Sequence, residues 1–174
     1  MKKRLANLPG KMKGQLVRDH EPLSWKYAIW GLFCGTLAIF IILKITEIAG
    51  QPLFIGSFGA SAVLLFGATE SPLAQPRNLV GGHLVSALVA VLIVACGGTG
   101  MPAMALAVGI SLFFMYLTRT VHPPGGATAL IGVQGHAGAA FLFVPILAGT
   151  LILLLTALVI NNLVHHRQYP KYWL

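Results

Sequence analysis

The sequence predicts an all-α integral membrane protein with about six membrane segments, arranged as two repeats of three segments each. The first observation is composition, since 56% of the 174 residues are hydrophobic and only 9% are charged, whereas about 25% are charged in an ordinary soluble domain. The second is a series of long apolar runs, and the third is a glycine-rich motif that occurs twice. The expected surroundings are therefore a lipid bilayer, with no nucleic acid as partner.

Basic residues are concentrated at the N-terminus, where seven of the twelve lysines and arginines precede residue 27. A basic stretch directly before an apolar helix indicates a cytoplasmic end, so the net charge of +8 reflects topology. We expect a basic cytoplasmic tail at 1–24, a membrane domain at 25–164 and a second basic tail at 165–174. The expected location is a bacterial inner membrane, with both termini in the cytoplasm.

Six apolar runs are candidates for membrane segments, because a helix that crosses a bilayer needs about 20 predominantly apolar residues. The second and fifth runs are short, glycine-rich and interrupted by polar residues, so a full crossing, a half-helix and a re-entrant loop remain open for each. Six crossings would place Arg77 and Arg119 in the cytoplasm and four would place them outside, so the positive-inside rule favours six. In chain order the runs are Tyr27–Leu43, Leu53–Thr69, Leu79–Cys96, Pro102–Thr118, His122–Gly135 and Ala137–Val164.

A short motif indicates an internal repeat. Gly59–Val63 aligns with Gly126–Leu130 at an offset of 67 residues, with three of the five positions identical. The same offset carries the third run onto the last, which gives one repeat at 25–97 and a second at 98–164. Three segments per repeat is an odd number, so the repeats would have opposite orientations, as in many transporters. Chance alignment of sequence rich in glycine and alanine is the alternative.

The fifth run begins with the sequence VHPPGGATAL, which predicts an exposed helix start inside the membrane. A helix starting at or just after Pro124 would leave the first N–H groups, from Gly125 to Thr128, without intrahelical partners. Such a start carries partial positive charge and suits an anion. The candidate binding residues here are His122, Pro123, Pro124, Gly125, Gly126 and Thr128.

The second run has a similar character, with candidate residues Gly56, Ser57, Gly59 and Ser61. Two half-helix starts from inverted repeats would meet near the midplane, where such transporters bind their substrates. The alternative is that these small residues only let helices pack closely.

Ionisable residues near membrane depth are further candidates, because they are costly there and mark function by default. His122 and His83 could donate to an anion or carry a proton, and Arg119 and Arg77 could attract one or simply anchor helix ends. The sequence shows no convergent metal ligands and no catalytic motif, so we expect no metal, no cofactor and no enzymatic activity. An intramembrane hydrolase is motivated only by the presence of Ser, His and Glu.

Two long motifs, Gly56–His83 and Arg119–Leu130, resemble the HPP family of integral membrane proteins, named for the His-Pro-Pro found here at 122–124. The resemblance runs from about Trp25 to Asn162. Plant and cyanobacterial members are associated with nitrite transport, and the family is commonly described with four transmembrane helices, two fewer than expected above.

The resemblance and the helix starts together lead to one expectation and one alternative. We expect a channel or transporter for a small monovalent anion, nitrite above others, held at opposed half-helix starts. The alternative is a membrane scaffold or sensor subunit without transport. Six short segments make a thin bundle, so we also expect a homo-oligomer, with a dimer favoured.

Overall fold

The computed structural model describes residues 24–48, 56–163 and 167–174. They form six α-helices and no strand, which confirms an all-α fold for the described part of the chain. The N-terminal basic tail, His165 and His166 lie outside the described residues, as does the start of the second predicted run. The helices are α1 (Trp25–Ile48), α2 (Gly56–Gly67), α3 (Pro76–Ala95), α4 (Gly100–Leu117), α5 (Pro123–Gln134) and α6 (Ala148–Asn162).

Four helical stretches have the length and apolar composition needed to cross a membrane: Trp25–Ile45, Pro76–Ala95, Gly100–Leu117 and Leu142–Asn162. Helices α2 and α5 have 12 residues each, which corresponds to about 18 Å at a rise of about 1.5 Å per residue. The hydrocarbon core of a bilayer is about 30 Å thick. The two short runs are therefore half-helices in length.

The last predicted run, Ala137–Val164, contains a candidate membrane span at Leu142–Asn162, and this span is interrupted near its start. A wide helical turn at Leu142–Leu147 precedes α6, and it is broken at Val144, whose φ of −129° and ψ of 116° are extended. The cause is Pro145, because proline has no N–H to donate and disfavours the helical conformation of the residue before it.

Close contacts between α3 and α5 and between α2 and α6 organise the bundle. A Cβ atom added to Gly132 on α5 would lie 2.6 Å from the Cβ of Ala90 on α3. A Cβ added to Gly149 on α6 would lie 2.4 Å from the ring of Phe58 on α2. Small residues thus let the two short helices approach the long ones closely.

Large apolar side chains cover the outer faces of α1 and α4. Leu32, Phe33 and Phe40 on α1 are at least half exposed, and Phe113 and Leu117 on α4 are similar. In a helix long enough to cross a bilayer, such faces suit contact with lipid tails.

The described C-terminal segment, 167–174, packs back against the bundle. The Tyr169 hydroxyl donates to the carbonyl of Ala74 at 2.8 Å, and the Lys171 N–H donates to Gln75 Oε1 at 2.8 Å. Burial raises the pKa of the Tyr169 phenol. Both partners lie in the connection between α2 and α3, which includes a 3₁₀ turn at Pro72–Ala74.

Glu70 in the same connection pairs with Lys171 at 2.8 Å. The hydrogen bond and the charge of that lysine lower the pKa of the Glu70 carboxyl. On α1, Lys44 forms an exposed ion pair with Glu47 at 2.7 Å.

Candidate functional site

The short helices α2 and α5 meet by their N-terminal halves in the interior of the bundle. Ser57, at the start of α2, contacts Thr128 in the second turn of α5, and Ser61, one turn further on, contacts His122 just before α5. Because the order of contacts is reversed, the two helices run antiparallel. Their starts therefore overlap side by side.

Five side chains form a continuous hydrogen-bonded cluster at this overlap, which we call the His-Ser-Thr network. Ser61 Oγ lies 2.8 Å from His83 Nε2 and 2.8 Å from His122 Nε2. His83 Nδ1 lies 2.7 Å from Thr128 Oγ1, which lies 3.0 Å from Ser57 Oγ. All five side chains have no exposure to solvent.

Two backbone carbonyls complete the network. His122 Nδ1 lies 2.8 Å from the carbonyl oxygen of Leu73 in the 3₁₀ turn. A carbonyl only accepts hydrogen bonds, so this nitrogen carries a hydrogen and donates it. The Ser61 hydroxyl also lies 3.1 Å from the carbonyl oxygen of Ser57, one turn earlier in α2.

The two imidazole rings are close neighbours. Their centroids are 5.0 Å apart, and the ring of Phe58 packs edge-on against His83 at 5.5 Å. The pair therefore occupies an enclosed environment of apolar, hydroxyl and carbonyl groups, and no charged side chain among the described residues is in hydrogen-bonding contact with it.

The sequence around the HPP motif explains the position of His122. This residue is the N-cap of α5 with an extended backbone, and Pro123 and Pro124 form the first turn. The side-chain amide of Asn78 on α3 donates to the Val121 carbonyl at 2.8 Å and fixes the approach of the chain. A Cβ at Gly82 would lie 2.5 Å from the Cβ of His122, so only glycine leaves room for the histidine.

The start of α5 offers fewer free donors than the sequence suggested. The helix begins at Pro123, neither proline of the motif has an N–H, and the Gly125 N–H donates to the His122 carbonyl at 2.8 Å. A Cβ at Gly125 would lie 2.9 Å from Ser86 Oγ. A Cβ at Gly126 would approach Val108 on α4 at 3.8 Å. Gly125 therefore allows close packing against α3. Its N–H group already has an acceptor, so at least one of the N–H groups expected to be free is not free.

Four other predicted site residues lie outside the network. A Cβ added to Gly56 or Gly59 would meet nothing within 4 Å, and Gly59 lines an apolar groove between α1 and α2. The Arg77 guanidinium donates to the Thr118 carbonyl at 2.8 Å, and Arg119 is exposed with a positive φ of 56°. Neither arginine contacts the network.

Two features of the site were absent from the sequence-based prediction. The Leu73 carbonyl is a backbone group from a connecting turn, which no side-chain pattern reveals. Ser86 lies three residues after His83 on the same helix, is fully buried, and its hydroxyl has no hydrogen-bond partner. Its spacing from His83 places both on one helix face, a signal that could have identified it. Within the described ranges, no group of three or more His, Cys, Asp or Glu residues converges as metal ligands would.

Comparisons with known proteins identify relatives along the whole membrane region. A sequence profile described as the HPP transmembrane region matches residues 20–170. Two transmembrane proteins of Dictyostelium discoideum are 46% and 42% identical over 173 residues, each match covering 94% of this chain. The match spans 60% of the first relative and 55% of the second. No solved structure matches the chain.

Proposed function

Because the chain belongs to the HPP family of transmembrane proteins, we propose that it moves a small monovalent anion, nitrite above others, across the membrane. The observation that carries this proposal is the His-Ser-Thr network, in which five polar side chains are fully buried where two half-helices overlap. Polar and ionisable groups inside a membrane bundle are costly and usually mark a solute or ion pathway. Imidazole and hydroxyl groups can donate to a small anion without a permanent charge.

An inverted repeat is part of the same proposal, and the helix contacts support it. Helices α2 and α5 have equal lengths, and both their starts and their ends are 67 residues apart. An inverted repeat would exchange α1 with α4, α2 with α5 and α3 with α6. Under this exchange the contact α1–α2 becomes α4–α5, α2–α6 becomes α5–α3, and α1–α6 becomes α4–α3. All six of these helix contacts are present. Ser61 and Thr128 are equivalent under this exchange, and both contact His83.

Contacts at one end of the bundle support six membrane segments with both termini on the same side. Arg77 at the start of α3 contacts Thr118 just after α4, and Arg167 contacts both Tyr27 near the start of α1 and the carbonyl of Phe66 near the end of α2. Successive helices from α1 to α4 therefore alternate in direction. Lys26, Arg77, Arg119 and Arg167 lie at this end, so the positive-inside rule favours the cytoplasm for it. We propose a bacterial inner membrane.

The network is enclosed in this structure, so transport requires helix movement that opens it. Transporters with half-helices at the midplane work by movement of one repeat against the other around a fixed site. At the network, the two proposed repeats meet through the contact between α2 and α5. Movement of one repeat relative to the other would expose the network.

We also propose a homodimer. Helix α2 is short and leaves Val63 72% exposed beside the groove that Gly31, Gly35 and Gly59 line. A second copy could cover this helix. Native mass spectrometry in mild detergent should give twice the monomer mass of 18.5 kDa, and the monomer mass alone would contradict the dimer.

The test of transport is anion flux into liposomes that contain the pure protein, with nitrite, nitrate, formate and chloride compared. We expect nitrite flux in the wild type, loss of flux in His122→Ala, and normal flux in His136→Ala. His136 is the matched control because it is exposed and lies beyond the end of α5. Equal flux in both variants would remove His122 from the mechanism.

A scaffold or sensor subunit is the second candidate, and the complete enclosure of the network favours it. A network sealed from solvent can also serve to fix two short helices in place. Absence of flux for all four anions, together with a stable protein partner, would support this alternative.

A further inference from the structure

We propose that one anionic phospholipid binds in the α1–α6 furrow, the groove that runs along α1 from Trp30 to Phe40 beside Ile160 and Leu163. Its acyl chain lies in the furrow, and its phosphate lies at Arg167. No residue of the His-Ser-Thr network takes part. The lipid site is therefore independent of the proposed anion transport, and each can fail without the other.

The α1–α6 furrow is lined by apolar side chains and opens on the outer surface of the bundle. Its volume is about 650 Å³, within the range of about 300–1,000 Å³ for pockets that hold small organic molecules. Phe33 and Phe40 are 65% and 54% exposed, so the furrow faces the lipid side of α1. Residues of α1 line it at intervals of three or four, which places them on one helix face: Trp30, Phe33, Leu37 and Phe40.

The length of the furrow matches one lipid leaflet. Ten residues separate Trp30 from Phe40, which is about 15 Å at a rise of about 1.5 Å per residue. The hydrocarbon core of a bilayer is about 30 Å thick, so each leaflet contributes about 15 Å. An acyl chain that lies in the furrow therefore runs from the headgroup level to the middle of the membrane.

Aromatic residues at the start of α1 mark the headgroup level at one end of the furrow. Trp25 and Tyr27 are 79% and 50% exposed, and these two residue types are enriched where a membrane meets water. Trp30, where the furrow begins, lies about one helical turn further into the membrane. The furrow therefore begins just below the depth at which a phospholipid carries its phosphate.

Arg167 supplies a cation at this level. Its Cζ lies 5.1 Å from the centroid of the Tyr27 ring, and its side chain is partly exposed. Both of its hydrogen bonds, to the Phe66 carbonyl and to Asn161 Oδ1, use Nη1. The N–H groups on Nη2 and Nε make no hydrogen bond to a residue that the structure describes. Such a planar pair of donors can bind two oxygens of one phosphate.

The charges around this end favour an acidic headgroup. The carboxylates within the described ranges, on Glu47 and Glu70, are each paired with a lysine, so neither neutralises Arg167. Lys26 is exposed at the start of α1, and the sequence before it carries six further lysines and arginines against two acidic residues. A basic segment next to a membrane helix attracts anionic lipids.

A second copy of this chain suits the furrow less well than a phospholipid does. Two copies with the same orientation in the membrane would bring Lys26 and Arg167 of both to the same end of the interface. Like charges that face each other across an interface are unfavourable. A phospholipid instead places an apolar chain against the apolar lining and a negative phosphate against the cations.

Occupancy of the furrow is tested with Trp30 as a fluorescent reporter. The chain has three tryptophans, so Trp25→Phe and Trp173→Phe leave Trp30 alone. The protein is placed in phosphatidylcholine nanodiscs with a rising fraction of phosphatidylglycerol whose acyl chains carry bromine, which quenches tryptophan on contact. We expect quenching to saturate at a lipid fraction at least about tenfold lower than with brominated phosphatidylcholine, which corresponds to about 1.4 kcal/mol in binding.

The matched reporter is Leu112→Trp in a chain whose three native tryptophans are replaced by phenylalanine. Leu112 is 51% exposed on α4 and lies outside the furrow. Its quenching should rise in proportion to the fraction of either brominated lipid. Quenching of Trp30 that also follows the bulk fraction, or that is equal for the two lipids, would overturn the proposal. Quenching of Trp30 by neither lipid would show that protein, such as a second copy, covers the furrow, and would overturn it too.

The role of the guanidinium is tested in the same Trp30 assay with Arg167→Gln and Arg167→Lys. Arg119→Gln is the matched control, since Arg119 is an exposed arginine that follows α4 and lies away from the furrow. We expect the preference for phosphatidylglycerol to disappear in Arg167→Gln and to remain in Arg167→Lys and Arg119→Gln. Circular dichroism checks that each variant keeps its helices. A preference that survives in folded Arg167→Gln would overturn the assignment of the phosphate to Arg167.

Discussion

Gly82 on α3 supports the position of His122, and replacing it with alanine should displace the histidine. The added Cβ would lie 2.5 Å from His122 Cβ and 2.8 Å from the Thr120 carbonyl oxygen. Neither atom is the end of a flexible side chain, so the backbone before α5 must move. Overpacking of this kind typically costs about 1–3 kcal/mol. We expect a loss of that size in the free energy of unfolding.

The matched control is Gly109→Ala on α4, where an added Cβ would meet nothing within 4 Å. Alanine at an open helix position stabilises by about 0.5–1 kcal/mol relative to glycine. Unfolding of both variants in mixed micelles, followed by helical circular dichroism, measures the difference. The nitrite flux of Gly82→Ala should fall and that of Gly109→Ala should not. Equal stability and equal flux in the two variants would refute the account of how His122 is positioned.

Three further predictions concern packing and the C-terminal segment. Gly149→Ala should lower the free energy of unfolding by about 1–3 kcal/mol, because the added Cβ would lie 2.4 Å from the Phe58 ring. Adding Phe58→Leu to that variant should recover part of the loss in the same unfolding assay. Tyr169→Phe removes a buried donor to a backbone carbonyl and should cost about 0.5–1.5 kcal/mol in unfolding free energy, while nitrite flux remains. Lys171→Ala should return the lowered pKa of Glu70 towards its ordinary value, as a carbon NMR titration would show. The exposed Glu70–Lys171 pair stabilises the fold at pH values above the ordinary carboxyl pKa. This stabilisation is lost as the pH falls through the lowered pKa of Glu70.

The fold was largely predictable because apolar length and glycine content are local properties of the chain. Three of the four long runs became long helices, the last became a helical stretch interrupted at Val144, and the two short runs became helices of 12 residues. The break at Val144 was missed because hydropathy alone does not register Pro145 within an apolar run. Proline chemistry, applied to that position, would have predicted it.

The candidate site was predictable only in part. The glycine-rich half-helix starts identified Ser57, Ser61 and Thr128, and the cost of ionisable residues at membrane depth identified His83 and His122. The sequence could not indicate that Ser61 joins both histidines, because that contact depends on the antiparallel overlap of α2 and α5. Nor could it separate these residues from the two arginines, whose exposure follows from their positions at helix ends.

The central claim is that a small anion crosses through the His-Ser-Thr network, and a pair of serine variants tests it most directly. Ser61→Ala and Ser111→Ala make the same chemical change at two fully buried positions, but only Ser61 lies in the network. Initial rates of nitrite uptake into proteoliposomes, at equal amounts of folded protein, are the measurement. The account predicts a large loss of uptake for Ser61→Ala and a wild-type rate for Ser111→Ala. Wild-type uptake by Ser61→Ala would contradict it.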